Sequence, residues 1–97
     1  MAKLFSVSVC PAASPVDPVR VESHLTTVGE WIRFNPWQWF LYSERSKVEI
    51  VEAARRGLQP NDHVLVTAIK AEVAAGWTAP WIWSWLNDKM NKIIMSG

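Results

Sequence analysis

The chain predicts an α+β fold whose elements follow one another as β-α-β-β-α-β, the ferredoxin-like sandwich, with one further helix added at the C-terminal end. Three observations predict it. Apolar and small polar residues alternate over Leu4 to Cys10, and a β-prone run fills His63 to Ile69. Between these runs, residues 30 to 43 are dense with β-branched and aromatic side chains and are broken only at Asn35-Pro36. Two stretches with helical start and stop signals separate the three β segments. With 97 residues there is room for one core: residues 1–70 make the ferredoxin-like domain, and residues 71–97 a tryptophan-rich helical extension of the same domain.

In chain order, the first strand places Phe5, Val7 and Val9 on one face and Ser6 and Ser8 on the other, and Pro11 ends it. A first helix spans about 15 to 28. Its start reads either as Ser14 with Pro15 and Asp17, or as Asp17 capping with Pro18 next; Val21, Leu25 and Val28 give its apolar stripe and Gly29 its close. The hairpin has strands at 30–34 and 37–43, with Trp37, Trp39 and Leu41 on one face and Gln38, Phe40 and Tyr42 on the other. The second helix opens with a capping box, Ser46 and Glu49. It turns Ile50, Ala54 and Leu58 inward, widened by Val51, and stops at Gly57 and Pro60. Asn61-Asp62 turns the chain into the last strand. The final helix runs from near Thr78 to about Ile94, with Ile82, Leu86, Met90 and Ile93 as its inner stripe and Asn87, Asp88, Asn91 and Lys92 toward water. The element order implies the strand sequence 4-1-3-2 across the sheet, with both domain helices on one face and the other face open.

Composition excludes several function classes. Hydrophobic residues at 49% against charged residues at 20% exclude disorder, and ten Lys and Arg against nine Asp and Glu leave no footprint of an avid nucleic-acid binder. Cys10 is the single cysteine, so no internal disulfide forms, and the Met-Ala-Lys start has no apolar targeting segment; both fit a cytoplasmic protein. The uncharged stretch Val73 to Asn87 contains Gly76 and Pro80 and falls short of the roughly 20 residues a membrane span needs. Glycines at 29, 57, 76 and 97 are too far apart for a phosphate cradle, and Cys10, His24 and His63 have no zinc-ligand spacing, so no cofactor and no metal is expected.

The stretch from Gly29-Glu30-Trp31 through Trp39-Phe40-Leu41-Tyr42-Ser43, Ser46 to Leu58 and Pro60-Asn61-Asp62-His63-Val64-Leu65-Val66 resembles the small ferredoxin-like proteins related to the CRISPR-associated Cas2 and the virulence-associated VapD, including their SinR-like relatives from bacteria and phages. The resemblance covers about residues 1–70. It implies a bacterial or phage origin, a dimer built on the sheet, and in some members nucleic-acid binding without cleavage. The nucleases of that group carry an aspartate at the end of the first strand; here the matching place holds Cys10, or Val9 in a register shifted by one, so metal-dependent cleavage is not expected.

The remaining candidates are weighed against plainer readings. Cys10 reads as a small buried side chain at a strand end, His24 as a helix-surface residue, His63 as a cap of the last strand and Asp62 as a turn residue, so no catalytic residue is assigned. Arg33, Arg55 and Arg56 are the candidate nucleic-acid contacts, from a basic set with Arg45 and Lys47 that Glu30, Glu44, Glu49 and Glu52 interrupt. Seven tryptophans stand out among 97 residues. Trp31, Trp37 and Trp39 read as sheet packing, whereas Trp77, Trp81, Trp83 and Trp85 exceed what one helix buries against one small sheet. These four are the candidate protein interface, between copies of the chain or with another protein, unless they cover the open sheet face; a membrane surface is the least favoured role, since the nearby basic residues Lys89 and Lys92 come only at the end. The expected protein is thus a small non-enzymatic binding protein, an accessory or inhibitor acting as a homodimer; the alternative is a nucleic-acid scaffold.

Overall fold

The computed structural model describes residues 2–12, 17–70, 76 and 79–96. Its elements run β1 (Lys3–Cys10), α1 (Pro18–Leu25), β2 (Glu30–Asn35), β3 (Gln38–Ser43), α2 (Lys47–Arg55), β4 (His63–Ile69) and α3 (Pro80–Ser96). The strands form one antiparallel sheet in the order β2-β3-β1-β4, which is the expected 4-1-3-2 arrangement. This is a ferredoxin-like fold with an added C-terminal helix.

The alternation of β1 decides what lies on each face. Val7 is opposite Trp39 on one side and Val66 on the other, and Phe5 is opposite Leu41 and Ala68. These side chains meet Val21 and Leu25 from α1 and Ile50 and Ala54 from α2 in the first core, where Val7, Val21, Leu25, Trp39, Leu41, Ile50 and Ala54 have essentially no contact with water. Leu58, Val64 and Val66 pack at its margin. The two helices approach closely: a Cβ on Gly57 would lie 2.8 Å from the Arg20 carbonyl oxygen and the Val21 nitrogen, so a side chain there would push α2 off α1.

The opposite sheet face carries a second, smaller core. Ile82 and Leu86 of α3 pack on Leu4 of β1, with Ile32, Phe40, Tyr42 and Ile69 around them. Both faces are therefore covered at the Leu4 end of β1, which explains why the neighbours Leu4 and Phe5 are both buried. The other half of that face is different in composition, with Ser6 opposite Thr67 and Ser8 opposite Leu65.

Start signals fare better than ends. The α2 capping box is present, with Ser46 Oγ accepting from the Glu49 N–H and Glu49 Oε1 accepting from the Ser46 N–H. In α1 the Asp17 carboxylate accepts from the Val19 N–H and Pro18 is the first helical residue, which settles the two start registers in favour of Asp17; Ser14 and Pro15 lie outside the described residues. The helix is shorter than expected, since residues 26 to 28 form a turn, with Thr26 and Thr27 hydroxyls donating to the Glu22 and His24 carbonyls. The hairpin turn is likewise displaced by one residue, to Pro36-Trp37. Cys10 is exposed, against the expectation of a buried thiol, because it points with Ser6 and Ser8 to the sheet face that α1 and α2 do not cover.

Candidate interaction surfaces

Three places concentrate polar chemistry. The first is under α1, where Glu22 is buried although carboxylates rarely are. Its oxygens accept from Arg33 Nε and Nη2 (2.5 and 2.7 Å) and from Trp39 Nε1 (2.8 Å). Burial raises the Glu22 pKa, but the Arg33 and Trp39 hydrogen bonds and the Arg33 charge outweigh it and hold the group below its usual value. Arg33, a candidate nucleic-acid contact, thus has its guanidinium fork engaged by Glu22, with 39% of the side chain exposed.

The second is Lys89, on the inner side of α3. Its ammonium lies 3.1 Å from Glu30 and 3.5 Å from Asp88, and 5.4 Å from the ring centres of Tyr42 and Trp85. Only 6% of the side chain is exposed. Burial lowers its pKa, yet its polar neighbours, Glu30 foremost and Asp88 among the others, together outweigh this and raise it. The ion pair with Glu30 ties α3 to the start of β2.

The third is the end of β1 and the start of β4, where Cys10 is directly opposite His63 and both are exposed. Asp62 beside them is committed to backbone: Oδ1 accepts from the Ala12 N–H (2.9 Å) and Oδ2 from the Gln59 N–H (2.8 Å), and these bonds lower its pKa. Asp62 is a turn residue as expected, although it joins the 59–62 turn to the segment after β1 and does not bond two residues ahead. His24 sits half-exposed in the last turn of α1. Among the described residues, no group of three or more His, Cys, Asp or Glu could hold a metal ion.

The candidate interface tryptophans separate. Trp83 and Trp85 are half-buried against the second core, Trp81 is 57% exposed, and Trp77 lies outside the described residues. Trp83 and Trp85 thus take part in covering the open sheet face, one of the roles weighed for them. Arg55 and Arg56 are both exposed at the end of α2, beside a shallow cleft also lined by Glu52, Leu58, Gln59 and Pro60, and Arg55 pairs with Glu52 at 3.5 Å. A larger cleft of about 370 Å³ lies between the turn after α1 and the end of β3, with Gly29, Glu30, Tyr42 and Arg45 in its walls. No helix among the described residues is long and apolar enough to cross a membrane.

Sequence reasoning missed Glu22, Lys89 and Leu65. Lys89 was detectable, since it falls on the 82-86-89-93 spacing of the inner stripe. Glu22, next to Val21 on the buried side of α1, required knowing that β2 would bring Arg33 within reach.

No protein-family model matches the chain, and no curated protein or solved structure matches it either. What the chain shares with the Cas2 and VapD group is the ferredoxin-like fold, and no family match ties it to that group.

Proposed function

We propose that the chain is a small non-enzymatic protein-binding module, an accessory or inhibitor protein that works as a homodimer. The observation that carries the protein-binding part of this reading is Trp81, 57% exposed on a helix that already has a full apolar arc seated on its own sheet. At about 25 cal/mol per Å² and roughly 150 to 250 Å² for a tryptophan, leaving half of it in water forgoes about 2 to 3 kcal/mol, which contact with another protein chain recovers. Non-enzymatic action is supported by the end of β1, which offers the Cys10 thiol where a nuclease of similar fold offers a carboxylate, and by Asp62, whose oxygens both accept backbone N–H groups.

A second reading, a nucleic-acid scaffold, draws on Arg55 and Arg56 side by side at the exposed end of α2. Two measurements separate the readings. Sedimentation equilibrium at micromolar concentration should give a dimer, and a strict monomer would remove the homodimer from the proposal. Titration with short DNA and RNA should give affinity no tighter than about 10 µM at roughly physiological salt. Sub-micromolar binding lost on Arg55→Glu would put the scaffold in first place.

A further inference from the structure

The two edges of the sheet are built differently. β2 carries Glu30 and Arg33, its pairing with β3 shifts register between Arg33 and Asn35, and Pro36 follows it directly. Charge, irregularity and proline are the devices that stop an edge from pairing further. β4 has none of them. Its seven residues, HVLVTAI, include no Asp, Glu, Lys, Arg, Pro or Gly, and Leu65 at its centre is 68% exposed. Among the described residues it pairs with β1 on one side and with no strand on the other. Such an edge presents N–H and C=O groups that a regular extended strand satisfies.

We propose that β4 pairs antiparallel with β4 of a second copy of this chain about a two-fold axis through Val66, joining two four-stranded sheets into one of eight strands. The inference rests on the homodimer reading above and names the surface through which the copies meet; Trp81 is then left to contact a further protein. Residue pairing argues for this occupant and this register. A two-fold axis at Val66 sets Leu65 opposite Thr67 and Val64 opposite Ala68 of the second copy. One residue beyond each strand end it sets Asp62, whose carboxylate keeps its bonds to the Ala12 and Gln59 N–H groups, opposite Lys70, so that opposite charges attract at both ends of an uncharged strand pair. A slip by one residue puts Asp62 opposite Ile69 or Ala71, loses both pairs and turns Leu65 to the wrong face. In-register parallel pairing sets Asp62 against Asp62 and Lys70 against Lys70.

Sedimentation equilibrium from about 1 to 100 µM tests the assignment, with far-UV circular dichroism confirming that each variant is folded. Leu65→Glu/Thr67→Glu places glutamate opposite glutamate twice and should raise the dimer dissociation constant about a hundredfold. Leu65→Glu/Thr67→Lys places glutamate opposite lysine and should restore most of the affinity. Lys70→Glu, outside the strand, should weaken the dimer about tenfold and carries the test if the double variants do not fold. A wild-type protein that stays monomeric at 100 µM overturns both this inference and the homodimer reading. A wild-type dimer that neither Leu65→Glu/Thr67→Glu nor Lys70→Glu weakens overturns the β4 assignment alone, and dissociation by Trp81→Ala would then move the interface to α3.

Discussion

Glu22 carries a negative charge beneath α1 because three donors converge on it, two from Arg33 and one from Trp39. Its pKa is lower in the folded protein than in the unfolded chain, so its contribution to stability is fully present above about pH 4.5 and is lost as the pH falls through the folded value. Glu22→Gln keeps an acceptor for Trp39 but removes the charge. We expect a loss of about 2 kcal/mol at pH 7, held to the lower part of the range for charged hydrogen bonds because Arg33 is partly exposed. Urea midpoints at pH 7 and about pH 3 check this: the gap between wild type and variant should shrink at the lower pH, and an equal gap at both would show that the charge is not what matters. Individual residues were readable in the sequence where their partner is a few positions away, as with Ser46 and Glu49. Where the partner is supplied by another element, as for Glu22, or where exposure depends on which sheet face stays uncovered, as for Cys10, the sequence alone misleads.

The contribution of α3 is unequal along its surface, and two substitutions should expose this. Leu86 is 4% exposed between the helix and Leu4, so Leu86→Ala should cost about 2 to 4 kcal/mol and increase binding of a hydrophobic dye as the second core opens. Trp81→Ala should change the stability of the folded monomer by less than about 0.5 kcal/mol. Thermal unfolding of both proteins at low concentration checks the contrast, and equal losses would mean that Trp81 is held against its own domain more firmly than its exposure indicates. The inner stripe 82-86-90-93 was readable from periodicity. What the helix packs against was not, because the open face of the sheet became visible only once the strands were in order, and so Trp83 and Trp85 looked surplus to one domain.

For the molecule as a whole, the order of periodicities was sufficient to set the topology, since a strand-helix-hairpin-helix-strand chain with short connections has few ways to bury its stripes. A binding site is harder to read, because an exposed edge or aromatic ring states that something is accommodated without stating what. The non-enzymatic reading belongs here and is checked with DNA and RNA substrates in Mg²⁺ or Mn²⁺: no cleavage above background is expected, and cleavage abolished by Asp62→Ala in a folded protein would overturn it. The position of β1 has a further consequence during synthesis. This strand is made first, yet its two neighbours, β3 and β4, are made about 35 and 60 residues later. At roughly 5 to 20 residues per second, Phe5, Val7 and Val9 spend several seconds on the nascent chain before both neighbours exist, and β1 can be fully paired only once β4 has been made.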